Sequence, residues 1–202
     1  MGEAAAVETD KSFYFHGTEI REGRIFALNS GICVEERYPT AYNLGSGGCN
    51  WPGWINVDTV DGNAELKADV RDLSMVESDT ADAVAAIHIL EHLYEWEALP
   101  TVLEWKRILK PGGKMIIELP SMDKVCSYVH HCVENKEQMY AFMTQWSWYG
   151  DPKHKSAEMS HKWGWFRKSL YALLEQAGMR EIQFMKPRYH FEIRDMRCEC
   201  IK

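Results

Sequence analysis

Apolar residues along this chain fall into short runs closed by glycine, proline or an acid, and these runs alternate with stretches of helical period. Residues 38–44 lead into Gly45-Ser46-Gly47-Gly48, the pattern of a buried strand entering a tight turn. Trp54-Ile55-Asn56-Val57-Asp58 predicts a second strand closed by a carboxylate, 66–70 a weaker third, and 81–88 a fourth that is apolar nearly throughout, as a strand buried on both faces should be. Leu99, Val102, Leu103 and Leu109 recur at helical spacing over 95–109, and Lys110-Pro111-Gly112-Gly113 reads as the stop. A fifth strand is predicted over 114–119, a helix over 166–177 capped by Gly178, and strands over 182–185 and 196–201.

Strands alternating with helices indicate an α/β fold with a parallel sheet and right-handed crossovers, and such sheets place ligands outside their carboxyl ends. One connection strains the scheme. The eight residues from Ser46 to Gly53 separate the first two strands, where a parallel crossover usually needs a dozen or more. The first crossover helix is therefore expected to shrink to a turn. Residues 18–36, with Ile20, Ile25, Phe26, Leu28, Ile32 and Val34, are expected to cover the sheet face left bare.

Composition narrows the function classes. With 202 residues, 46% hydrophobic and 26% charged, the chain is too apolar for intrinsic disorder and long enough to bury one core. A net charge of -7 disfavours nucleic acid as a partner, and the local basic cluster of Lys153, His154, Lys155, His161, Lys162, Arg167 and Lys168 reads at least as well as a solvated loop and helix face. The six cysteines form no C-x-x-C pair, so reduced thiols in a cytoplasmic setting are expected, with Cys198 and Cys200 on one buried face of a strand and no metal site. The alanine-rich, acidic residues 1–10 read as a loose tail rather than a secretory signal, and no apolar run is long enough to span a membrane.

The candidate chemistry lies just after the strands. Gly45 and Gly47 let the backbone approach a ligand closely, although such clusters are often plain tight turns. Asp58 stands where a carboxylate can accept from the two hydroxyls of a ribose, with a turn or N-cap aspartate as the bland reading. Asp69 could accept from an adenine amine, with Val70 packed on the ring.

At this point the sequence resembles the class I S-adenosylmethionine-dependent methyltransferases of the type 11-like branch. Asn43-Leu44-Gly45-Ser46-Gly47 is similar to their glycine motif, Ile55-Asn56-Val57-Asp58 to their ribose-binding acid, and Ala68-Asp69-Val70-Arg71-Asp72-Leu73 to their adenine-side acid. His88-Ile89-Leu90-Glu91-His92-Leu93 and Glu104-Trp105-Lys106-Arg107-Ile108-Leu109-Lys110-Pro111-Gly112-Gly113-Lys114 continue the match. Asn43 departs from the acid usual there, and Ser46 from a common cysteine.

The resemblance implies a Rossmann-like, seven-stranded, mostly parallel sheet whose last strand, 196–201, runs antiparallel. It implies S-adenosylmethionine as methyl donor, held by Asn43, Gly45, Ser46, Gly47, Asp58, Asp69, Val70 and His88. Residues 11–202 then form one domain, with an N-terminal cover (11–39), a cofactor-binding core (40–120), an acceptor-side insert (121–168) and a C-terminal helix and strands (169–202). A small-molecule acceptor is expected, acting on a monomer or homodimer. If the acceptor is weakly acidic, a general base helps, and His88 is the first candidate, with His161 behind it. Capping of the next helix or packing on the cofactor is an equal reading for His88.

Three other readings compete. A non-catalytic cofactor-binding subunit of a partner enzyme shares every motif. A nicotinamide-dependent oxidoreductase would need a third glycine where Asn50 stands and an acid later than Asp58. His88-x-x-Glu91-His92 also spells an inverted zinc-protease motif, but without an evident third ligand. The acceptor-side aromatics Trp146, Trp148, Tyr149, Trp163 and Trp165 suit a pocket or ordinary packing equally well.

Overall fold

The computed structural model describes residues 38–60 and 62–202, together with the backbone of two short N-terminal strands, β1 (Phe13–Phe15) and β2 (Thr18–Ile20). These two strands pair antiparallel as a hairpin of their own. Apart from Phe13–Phe15, Thr18–Ile20 and residues 38–39, the expected N-terminal cover (11–39) lies outside the described residues, as does the 1–10 tail.

The main sheet contains β3 (Ala41–Leu44), β4 (Ile55–Asp58), β5 (Leu66–Lys67), β6 (Ala81–Ile87), β7 (Leu109–Pro120), β8 (Arg180–Met185) and β9 (Asp195–Ile201). Their order is β5-β4-β3-β6-β7-β9-β8, with β9 antiparallel to both of its neighbours. The expected seven-stranded, mostly parallel sheet with an antiparallel last strand is therefore present. β3 has parallel neighbours on both sides, with β4 and β5 running outward on one side and β6 and β7 on the other, which marks the switch point where such sheets bind ligands.

The helices are α1 (Glu95–Ile108), α2 (Met122–Asn135), the short α3 (Gln145–Tyr149) and α4 (Arg167–Gln176). One sheet face buries Leu44, Val57, Val84, Ala86, Met115 and Ile117 in a core shared with α1 and α4. Cys198 and Cys200 enter the same core, and burial pushes both thiols up.

Three details differ from the sequence expectation. The buried stripe of α1 is Ala98, Thr101, Val102, Trp105 and Ile108, whereas Leu103 is exposed. Trp105 fixes the rotation by donating from Nε1 to the Val70 carbonyl at 2.8 Å. β7 begins at Leu109 rather than at Lys114, because Lys110-Pro111-Gly112-Gly113 is accommodated as a bulge between the pairs Ala81↔Leu109 and Ala83↔Lys114. The third strand is only Leu66–Lys67, since the chain turns at Asp69.

Residues 45–54 contain turns and no helix, so the shortened crossover is as expected. Its closure depends on two amides. Asn43 and Asn56 are register partners in the β3–β4 pair, on the face opposite the α1–α4 core, and both are buried. Asn43 Nδ2 donates to Asn56 Oδ1 at 2.9 Å and to the Cys49 carbonyl at 3.1 Å. Asn56 Oδ1 also accepts from the Trp51 N–H at 2.8 Å, and its Nδ2 donates to the carbonyls of Trp51 and Trp54 and to Glu65 Oε2.

Trp51 and Trp54 are thereby laid on the face made by Ala41, Ala83, Ala85 and Ile116. Tyr189 stacks on Trp51 with ring centroids 4.9 Å apart. The crossover thus supplies large rings where a crossover helix would otherwise lie. Replacing Asn56 with alanine strands the buried Trp51 N–H and the Asn43 amide, at a cost of about 3 kcal/mol. The denaturant midpoint should drop accordingly, and an unchanged midpoint would show that the amide pair does not hold the turn.

Candidate functional site

The glycine turn after β3 lies against the carboxyl end of β4. The N–H groups of Gly45 and Ser46 both donate to the Val57 carbonyl, at 2.7 and 3.1 Å. Gly45 has φ +65, which strains any residue with a Cβ, and a Cβ there would stand 2.0 Å from Ile89 Cδ1 and have to displace it. Gly47 N–H donates to Asp58 Oδ2 at 2.9 Å, while Asp58 Oδ1 accepts from the Val60 N–H at 2.7 Å. Ser46 Oγ is buried beside this turn with no hydrogen-bond partner.

A carboxylate at the strand end, an unfilled serine hydroxyl and a backbone stripped of side chains make a cradle that fits a nucleoside with vicinal hydroxyls. A carboxylate has more acceptor sites than the Gly47 and Val60 N–H groups use. Asp69 lies in the turn beyond β5, where Arg71 grips it with a 2.7 Å ion pair and holds its carboxyl below the usual range. Arg71 also reaches Glu97 at 2.8 Å. Val70 is half-buried and packs against the core. Asn43, expected at the cofactor, spends both amide protons inside the crossover.

His88 stands at the carboxyl end of β6, as expected. Its backbone takes a left-handed φ of +55, held by its N–H donating to the Glu118 carbonyl at 2.7 Å. Its Nδ1 is 2.9 Å from Glu91 Oε1 and its Nε2 3.3 Å from Asp195 Oδ2. Burial opposes its charge, but the two carboxylates outweigh burial and push His88 up to about 9. Burial likewise opposes ionisation of Glu91 and Asp195, yet His88, joined by Arg194 at Asp195, holds both well below the carboxylate range. At neutral pH these two carboxylates favour the imidazolium form of His88.

His161 lies on the other side of Glu91. Its Nδ1 is 2.9 Å from the Ser147 carbonyl, and burial pushes its pKa down, keeping the ring neutral. The surrounding segment is tied to the strand end. Lys162 and Trp163 donate from their N–H groups to the Glu91 carbonyl, and buried Trp165 donates from Nε1 to the Leu90 carbonyl at 3.3 Å. Trp165 is core, whereas Trp148, Tyr149 and Trp163 are exposed.

Several members of this site carry no pattern that sequence reasoning could use. Glu118, buried at the end of β7, accepts from the N–H groups of Arg188, Tyr189 and His190 at 2.9, 2.8 and 3.2 Å. This brings the His190 ring to 4.0 Å from that of His88. Burial pushes the Glu118 carboxyl up against the pull of those donors. The only available signal was a charged residue inside an apolar strand. A groove lined by Tyr42, Ile55, Leu66 and Val76 also exists, but it lies at the amino ends of the strands, away from these convergent groups.

The family model described as a methyltransferase domain matches residues 52–117. A SAM-dependent methyltransferase from Archaeoglobus fulgidus has 17% identity and a TM-score of 0.56, covering 89% of this chain and 90% of its own. The 1,6-didemethyltoxoflavin-N1-methyltransferase of Burkholderia thailandensis, solved with its substrate and S-adenosylhomocysteine, has 12% identity and a TM-score of 0.51 over 82% and 72% of the two chains. A SAM-dependent methyltransferase from Thermotoga maritima gives 14%, 0.51 and 84% of each chain. No curated protein matches at the sequence level.

Exchanging Glu118 for glutamine leaves one oxygen for three N–H donors. Amide hydrogen exchange at residues 188–190 should speed up at least about tenfold, a loss on the order of 1.4 kcal/mol in local opening. Unchanged exchange would mean that the loop is held by other contacts.

Proposed function

We propose that this chain is a class I S-adenosylmethionine-dependent methyltransferase of the type 11-like branch and that it transfers a methyl group to a small-molecule acceptor, a reading supported by the methyltransferase-domain match over residues 52–117 and by the shared fold. The observation that carries the reading is the Asp58 carboxylate bonded to Gly47 N–H at the β3 switch point, which joins a hydroxyl acceptor to a bare backbone in one cradle.

In this reading Asp58 accepts from the ribose hydroxyls, Gly45 and Gly47 admit the chain of the donor, and Ser46 supplies its unfilled hydroxyl. Asp69 and Val70 line the adenine side, with Arg71 holding the Asp69 carboxylate ionised as an acceptor. Asn43 acts at one remove, by shaping the turn. S-adenosylmethionine supplies a methyl group already activated by its sulfonium, so the protein needs chiefly to align the acceptor with it and exclude water.

His88 contributes a fixed positive charge and a rigid strand end, not proton abstraction. Of the two histidines, His161 is the neutral one, and it belongs to the acceptor-side segment 121–168. The net charge of -7 favours a small acceptor over nucleic acid, and among the described residues no helix is long and apolar enough to cross a membrane. A cytoplasmic location goes with the unpaired thiols of Cys49, Cys126, Cys132, Cys198 and Cys200.

Calorimetric titration with S-adenosylmethionine and S-adenosylhomocysteine is expected to show micromolar binding. Asp58→Ala should weaken it by about 100-fold while leaving the protein folded, since a charged hydrogen bond of this kind is worth about 1.5–3 kcal/mol. Folded wild-type protein that binds neither ligand would contradict the proposal.

A further inference from the structure

Between the end of β6 and the return of the acceptor-side segment, Glu91, His92 and His161 bring three ligand-type atoms within 4.8 Å of one another. Glu91 is 2% exposed, and its Oε2 has no hydrogen-bond partner, a costly state for a buried carboxylate oxygen. His92 Nδ1 lies 3.3 Å from the Ser160 carbonyl and His161 Nδ1 2.9 Å from the Ser147 carbonyl. A carbonyl can only accept, so each Nδ1 carries a proton, and the nitrogen left to bind a cation is Nε2. The two rings meet edge to face with centroids 4.9 Å apart. Backbone carbonyls that fix the tautomer of ligand histidines are the usual outer support of metal sites.

We propose that Glu91, His92 and His161 form a binding site for one divalent transition cation of the zinc or cobalt type, at the carboxyl end of the sheet beside the acceptor region. Two imidazoles and a carboxylate are the donor set such ions prefer, and three protein ligands leave a position for water or a donor atom of the acceptor. Ligands about 2.0–2.1 Å from a tetrahedral centre lie roughly 3.4 Å apart, so the site closes by about an ångström, within reach of ring rotation at two half-buried histidines. The set differs from the inverted protease motif, because His88 faces Asp195 and leaves its place to His161, a residue 70 positions from Glu91 that only the fold brings near.

The site stands independently of cofactor binding. Chelator-treated full-length protein would be loaded with Zn²⁺ or Co²⁺, passed through a desalting column and assayed for bound metal, with Co²⁺ also read by its visible absorption. About one equivalent is expected, and His92→Ala and His161→Ala, each verified as folded by circular dichroism, should weaken binding at least about tenfold. Asp58→Ala should retain the metal, which separates this result from any failure of S-adenosylmethionine binding. Wild-type protein that retains no metal, or binding unaltered in both folded histidine variants, would overturn the site.

Discussion

The amide pair Asn43–Asn56 is the interaction on which the rest of this structure depends. A parallel crossover without a helix leaves the chain too short to turn by ordinary means and leaves a sheet face uncovered. The paired side chains answer both problems: Asn43 holds the Cys49 carbonyl of the turn, and Asn56 bonds the Trp51 N–H and the Trp51 and Trp54 carbonyls, fixing both rings onto that face. The glycine turn and Asp58 inherit their positions from this closure, because Gly45 and Ser46 are bonded to the same β4 strand that Asn56 occupies. The amide at position 43 also has a physical reason. A carboxylate there would face the Cys49 carbonyl and Asn56 Oδ1 with no proton to give.

A second constraint organises the acceptor side. His88, Glu91, Asp195 and Arg194 form a nearly buried chain of alternating charge at the ends of β6 and β9. Each carboxylate in it would be expensive alone, and the imidazolium shared between Glu91 and Asp195 lets both remain ionised. Through Glu91 the chain reaches His92, His161 and the segment that covers the acceptor, while through Glu118 and His190 the opposite loop is drawn in. In the proposed function, binding of the donor falls to groups on β3 and β4, and handling of the acceptor to neighbouring but separate groups at the ends of β6 and β9.

Much of the sheet was legible in the sequence because strands buried on both faces read as apolar runs, and because glycine and proline punctuate them. Asp58 and the Gly45–Gly47 turn were legible for the same reason: local spacing carries them. α1 shows the limit of periodicity, since Leu103 and Ala98 are both helix formers and only the hydrogen bond from Trp105 to Val70 decides which face turns inward. The charged state of His88 could not be read, because Asp195 is 107 residues away and pairs with it only across the sheet. The helix α2 was missed altogether. Its buried stripe of Met122, Val125, Tyr128 and Cys132 is interrupted by polar residues at a spacing that propensity alone does not resolve.

The most direct test of the account is a crystal structure with S-adenosylhomocysteine. The account predicts the ribose hydroxyls on Asp58, the amino-acid portion passing over Gly45–Gly47 and His88 still paired with Glu91 and Asp195. A ligand seated elsewhere, or ribose hydroxyls that make no hydrogen bond to Asp58, would contradict the account.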